Sequence, residues 1–192
     1  MDYLEHFECF KNFTVEYTTD IKKYSDYSTN ECTRWSICNK YYKEQLEICN
    51  AGIFITYKPL NHHKDQICAF VLGEINNSNL IIKLVASKRF FLESVSPSFG
   101  IYLIHLMILM SEATNVIIDD VVEDKLTYYE HFGFITTSKI KYENGIQLYT
   151  MKYDKDVSVF VENISKYILD KFTTFNEFVN LNDRKEELYS CS

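Results

Sequence analysis

Glycine and proline are scarce in this chain, at 5 and 2 of 192 residues. Together they make about 4%, against a usual share of roughly 12%. Collagen-like, glycine/serine-linker and proline-rich disordered architectures are thereby excluded. Cysteines at metal-binding spacing are missing too. Cys9, Cys32, Cys38, Cys49, Cys68 and Cys191 include no Cys-x-x-Cys pair, and the histidines do not complete a zinc pattern. No metal site is expected. No signal-peptide pattern opens the chain, so reduced, idle thiols in the cytoplasm are expected rather than disulfides. The longest apolar run, Ile101 to Met110, is interrupted by His105. It is about half the roughly 20 residues a membrane span needs, so no membrane association is expected. Positive charge is in deficit, with 20 Lys and Arg against 27 Asp and Glu and a net charge of −7. A negative bulk field argues against a nucleic-acid partner.

What the chain does hold is core material, with 46% hydrophobic and 16% aromatic residues. At this length one domain is the natural count. Tyr3, Leu4, Phe7 and Phe10 share a helical face within residues 2–11, and Phe13 to Thr18 alternate as a short strand. Residues 19–32 are polar and read as loop or irregular helix. Trp35, Cys38, Tyr41, Tyr42, Leu46 and Cys49 return to helical spacing over Thr33 to Cys49, with Thr33 as the expected N-cap. The period then shortens. Ile53 to Lys58, Gln66 to Ile75 and Leu80 to Ser87 read as three strands. Pro59 with the polar turn Asn61 to Asp65, and then Asn76 to Asn79, separate them into an antiparallel meander. Residues 98–113 form an almost wholly apolar helix, expected to be buried on most sides. Val116 to Asp119 is a short strand of the kind found in parallel pairing. Residues 124–132 form a short helix with Gly133 at its C′ position. Phe134 to Tyr142 and Ile146 to Tyr153 flank Glu143-Asn144-Gly145, a hairpin signal. Helical spacing resumes over 157–172, at Val157, Phe160, Val161, Ile164, Ile168 and Phe172, and residues 183–192 are a polar tail.

Tyr128-Tyr129-Glu130-His131-Phe132-Gly133-Phe134 resembles the Tyr-x-x-x-Gly-Phe segment of the GNAT superfamily of N-acyltransferases. The element order of residues 50–153 is similar to that fold as well. The resemblance implies an α+β architecture. Its mixed sheet would have about six to seven strands with a splayed parallel pair, flanked by helices, in a domain over residues 1–153. Residues 154–192 would be a C-terminal helical extension and tail. It implies acetyl-CoA as the acyl donor and a primary amine as the acceptor. Tyr129 matches the tyrosine that protonates the departing thiolate. Val85 to Ser87 lie where a backbone N–H would polarise the thioester carbonyl. Ser98, Phe99, Gly100 and Ile101 match the loop and helix start that receive the pyrophosphate, where unpaired N–H groups and the helix dipole favour an anion.

That loop departs from the family pattern. Val95 stands at the usual Gln or Arg, Ser98 at the first Gly, and Pro97 removes a donor. The Lys88 to Ser94 connection is longer than usual, and Lys88 and Arg89 could supply positive charge or be an exposed basic pair. Three readings therefore stand beside one another. One is an N-acetyltransferase acting on an amine, for which net negative charge favours a cationic acceptor. Another is a catalytically inactive GNAT-like domain that works as a binding or structural protein, with a homodimer or partner contact through its C-terminal helices. A third is an unrelated α+β protein. Among candidate bases, Asp119 and Asp120 at a strand end are expected to cap a helix or face solvent, and Glu74 is a further weak candidate. His62 and His63 read as solvated, His105 as a core histidine and His131 as a bystander.

Overall fold

The computed structural model describes residues 13–25, 39–57, 66–87, 99–141 and 145–166. Its strands are β1 (Phe13–Thr18), β2 (Ala51–Tyr57), β3 (Gln66–Asn76), β4 (Asn79–Ser87), β5 (Asn115–Val122), β6 (Phe134–Lys141) and β7 (Gln147–Tyr153). Its helices are α1 (Asn39–Ile48), α2 (Phe99–Ser111), α3 (Leu126–His131) and α4, residues 157–166. Single 3₁₀ turns cover Ile21–Tyr24 and Glu123–Lys125. The helix expected over 2–11, the Thr33 cap, the turns at 61–65 and 142–144, the loop 88–98 and everything after 166 lie outside the described residues.

The strands form one sheet in the order β1-β2-β3-β4-β5-β7-β6. The meander has four strands rather than three, because Phe13 to Thr18 pair antiparallel with Tyr57 to Gly52. Only β4 and β5 run parallel among the described strands. The short strand expected at Val116 to Asp119 extends to Val122, since its far half finds a second partner in β7. Among the described residues, no helix is long and apolar enough to cross a membrane.

Two cores cover the two faces. On one, Ile53, Ile55, Val71, Leu80, Ile82, Val116 and Ile118 pack with α2, in which every residue from Ile101 to Ile108 is buried. The all-round burial explains why α2 is apolar on all sides. Val157, Phe160 and Ile164 of α4 join this core, so the C-terminal extension packs back through residue 166. On the other face, Phe54, Phe70, Leu72, Leu84 and Ala86 pack with Tyr42 and Leu46 of α1, with Cys49 just after it, and with Ile21 and Tyr24. The Tyr42 hydroxyl donates to the Tyr24 carbonyl at 3.0 Å, so the buried phenol is not left unpaired. Burial pushes the Cys49 thiol up to about 12, which keeps it inert.

Within β4 the face assignment flips. Leu80 and Ile82 belong to the α2 core, whereas Leu84 and Ala86 belong to the α1 core. The cause is a β-bulge. Leu84 pairs with Leu72 and Ile82 with Gly73, which leaves Lys83 as the extra residue. Past the bulge, Val85 turns toward α2.

Candidate active site

The parallel ladder between β4 and β5 runs from Asn79↔Asn115 to Ile82↔Ile118 and stops there. Beyond it each arm keeps only its outer neighbour. Val85 to Ser87 stay paired to β3, and Val121 and Val122 stay paired to β7. The β4 bulge at Lys83 and the register break in β5 between Ile118 and Val121, where Asp120 has φ 56°, both fall at the parting point. The two arms therefore enclose a mouth on the α2 side. In open α/β sheets a ligand sits beyond the carboxyl ends of such strands.

Three elements meet at this mouth. The first turn of α2 brings Gly100 and Ile101, the β4 arm brings Val85, and α3 brings Tyr128. A Cβ added at Gly100 would lie 3.4 Å from the Tyr128 hydroxyl and 3.6 Å from Val85 Cγ1. The Ile101 amide, one of the donors at a helix start that has no partner within the helix, donates to the Tyr128 hydroxyl at 3.0 Å. Of the expected donor-binding set, the structure thus brings Val85, Gly100 and Ile101 together. Phe99 opens α2 and Ser87 closes β4, while Ser98 lies outside the described residues. Sequence reading passed over Tyr128, although it sits beside Tyr129 in the same motif.

Tyr129 packs on the rims of Tyr128 and Phe134, with ring centroids 5.0 and 6.1 Å away. Burial pushes its phenol up to about 12, so it holds its proton throughout the neutral range. The turn after α3 is made by Gly133 at φ 90°, whose amide donates to the Glu130 carbonyl at 2.9 Å. A side chain there would be strained and would press on the Tyr153 ring at 3.1 Å. The expected C′ glycine is therefore in place, and it is what aims α3 at the mouth.

A polar cluster lies at the parting point itself. Lys83 Nζ donates to Asp119 Oδ2 at 2.9 Å and lies 3.5 Å from Glu74 Oε1. Thr150 Oγ1 donates to Asp119 Oδ1 at 2.7 Å, and the Tyr41 hydroxyl donates to Asp120 Oδ2 at 3.3 Å. Asp119 and Asp120 therefore neither cap a helix nor simply face water. They bind β4, β5, β7 and α1 together where the ladder ends. Burial works against the Asp119 carboxylate, yet Lys83 and Thr150 hold it below the ordinary carboxylate value. Burial likewise works against the Lys83 ammonium, and Asp119 and Glu74 hold it above the ordinary lysine value.

The depressed Asp119 pKa fixes a pH window. The stability it contributes is full above the ordinary carboxylate pKa, about 3.9, and is lost as pH falls through the lower folded value. Lys83→Met should therefore be less stable than the wild type at about pH 7, with the gap narrowing toward about pH 2. Urea midpoints at both pH values check this. A gap of equal size at both would remove the ion pair as its cause.

Of the two described histidines, neither is among the side chains brought together at the mouth. His105 is a core histidine on α2. Its Nε2 lies 3.1 Å from Ser165 Oγ, which itself donates to the Val161 carbonyl. Burial pulls its pKa down to about 4, so it is neutral. His131 is exposed.

No family model matches the chain, and no curated protein matches its sequence. Solved structures do match its fold. The ribosomal-protein-S18-alanine N-acetyltransferase of Escherichia coli is 12% identical, covers 73% of this chain with 92% of its own, and gives a TM-score of 0.51. Naa50 of Arabidopsis thaliana, solved with the bisubstrate analogue CoA-Ac-MVNAL, is 13% identical over 75% of this chain and 99% of its own, with a TM-score of 0.50. These likenesses concern the fold, and they agree with a seven-stranded mixed sheet whose parallel strands part at Ile82 and Ile118. The chain resembles the GNAT superfamily of N-acyltransferases and has its fold.

Proposed function

We propose that this protein is a GNAT-like N-acetyltransferase that moves an acetyl group from acetyl-CoA to a primary amine. The observation that carries this reading is the mouth itself: parted parallel arms, a helix N-terminus at Gly100 and Ile101, and the protonated Tyr129 nearby. The residues fit the donor. A Cβ at Gly100 would fill the narrow space between Tyr128 and Val85, so glycine keeps that approach open. The positive end of α2 suits a phosphate there.

Acetyl-CoA supplies an activated thioester. The chain's part is to hold it, polarise its carbonyl and manage two protons. The inner edge of the β4 arm from Val85 to Ser87 has no ladder partner in β5 and offers backbone N–H to the carbonyl oxygen. As the amine forms its C–N bond and the C–S bond breaks, Tyr129 gives its proton to the sulfur. The amine sheds its own proton to water. Asp119 is not the base in this scheme, because Lys83 and Thr150 occupy its two oxygens. A net charge of −7 favours a cationic acceptor. A soluble, cytoplasmic setting goes with this reading.

One observation favours the alternative, an inactive domain that binds or scaffolds. A tyrosine hydroxyl already sits on the α2 amide. In that case a homodimer or partner contact through the C-terminal helices would lie beyond the buried stripe of Val157, Phe160 and Ile164.

Titration calorimetry of the full chain with acetyl-CoA and with CoA decides between them. The enzyme reading expects micromolar-class binding and thermal stabilisation by mass action, about 2.7 kcal/mol at a hundredfold excess over Kd. Silence at millimolar ligand would sink it in favour of the alternative.

A further inference from the structure

We propose that Tyr128 sets the affinity of the mouth for its anionic ligand, because its hydroxyl occupies the seat at the α2 N-terminus and must leave when a phosphate group enters. The inference rests on the acyl-CoA reading for the identity of the ligand, but its geometry is independent of that reading. The Ile101 amide points to the Tyr128 oxygen at 3.0 Å, and the position of a Gly100 Cβ lies 3.4 Å from the same oxygen. Val85 closes the remaining side at 3.6 Å from that position. The phenol oxygen thus stands where an incoming acceptor would meet the helix start, and the two cannot share the one N–H in good geometry.

The exchange is physically feasible. Tyr128 offers a neutral oxygen, whereas a phosphate offers charged ones, and a charge-assisted bond is roughly twice as strong as a neutral one. The element that carries Tyr128 is short. Helix α3 has six residues and no side-chain N-cap bond, and Leu126, Tyr128, Tyr129 and the following Phe132 pack half-buried against the core. Its attachments include edge-on contacts of Tyr128 with Tyr129 and Phe132, at 5.0 and 5.3 Å between ring centroids. A small shift of α3 would free the Ile101 amide. It would also carry Tyr129 with it, so donor binding and the placement of the proposed acid are coupled through one short helix.

The test is calorimetry of the wild type and Tyr128→Phe with two probes, CoA and inorganic pyrophosphate. Phenylalanine keeps the ring contacts and removes the competing oxygen. The variant should bind CoA about three- to tenfold tighter, the size expected for one neutral hydrogen bond. Amide hydrogen exchange at Ile101 should quicken in the absence of ligand. A folded variant that binds CoA no tighter than the wild type overturns the proposal and leaves the acyl-CoA reading standing. CoA silence in both proteins, with tighter pyrophosphate binding by the variant, supports the proposal and removes acyl-CoA as the ligand. Silence toward both probes in both proteins overturns both. If the variant does not fold, the wild type still answers by NMR. Ligand must shift the Tyr128 ring and Ile101 amide signals together, and binding that leaves the ring signals in place overturns the displacement.

Discussion

Replacing Tyr129 by phenylalanine is expected to lower turnover about 10²–10⁴-fold, the span of a lost general acid, while leaving CoA affinity within about twofold. The phenol is pushed up to about 12, so at neutral pH essentially every molecule carries the proton. A proton held so firmly is of little use to a weak base. It suits a leaving thiolate that develops charge in the same buried surroundings, where an unneutralised anion would be costly. In the proposed scheme the group acts on the leaving sulfur, so its loss should appear in kcat and not in binding. The wild-type rate should also show no falling limb from Tyr129 until the pH approaches 12. Phenylalanine retains the ring packing on Tyr128 and Phe134, so the melting temperature serves as the control. An unchanged rate in a folded variant would strip Tyr129 of its assigned role.

Phe134→Ala should cost about 3–5 kcal/mol of stability, the range for truncating a buried phenylalanine. Phe134 is 1% exposed and lies among Tyr129, Tyr153 and Phe160, with ring centroids 6.1, 5.6 and 5.7 Å away. Four elements meet on this one ring: α3, β6, β7 and α4. The cavity cannot close easily, because strand pairing holds β6 and β7 and rigid rings surround the gap. Urea denaturation gives the number directly, and a loss under about 1 kcal/mol would show that the cluster collapses onto the gap. Taken with the Tyr129 variant, this divides the Tyr128 to Phe134 motif by role. Gly133 and Phe134 build the corner, and Tyr129 is placed by it. A stability loss without a catalytic one, or the reverse, should separate the two halves.

Much of the architecture was legible because it is written in short-range signals. The period-two runs in β2, β3 and β4, the all-apolar α2, the helix end at Gly133 and the hairpin before Ile146 each depend on residues within one or two turns of one another. The parallel character of Val116 to Ile118 was visible from its continuous apolar run. The fourth meander strand was seen as a strand, but its pairing was not, since pairing is a choice of partner that no local period encodes. At the proposed site, Val85, Gly100, Ile101 and Tyr129 were expected from the family resemblance, and the fold brings the first three close together. Lys83 and Tyr128 were missed. Nothing near Lys83 in the chain marks Asp119 as its partner, 36 residues away, and nothing near Tyr128 marks the Ile101 amide, 27 residues away.

By itself, the sequence determined which segments are strands and helices and that they build a globular α+β domain. Side-chain spacing and backbone propensity act locally, and the scarcity of glycine and proline leaves few places where the chain can break. Only the tertiary structure decided the faces. Leu80, Ile82, Leu84 and Ala86 share one parity and read as one side of a strand, yet they divide between two cores. One extra residue, Lys83, shifts the phase, because the side-chain period of a strand is two. That insertion is stabilised by an ion pair to another strand, it turns Val85 toward α2, and it coincides with the end of the β4–β5 ladder. The mouth of the proposed site exists because contacts distant in sequence outweigh the local pattern at that point.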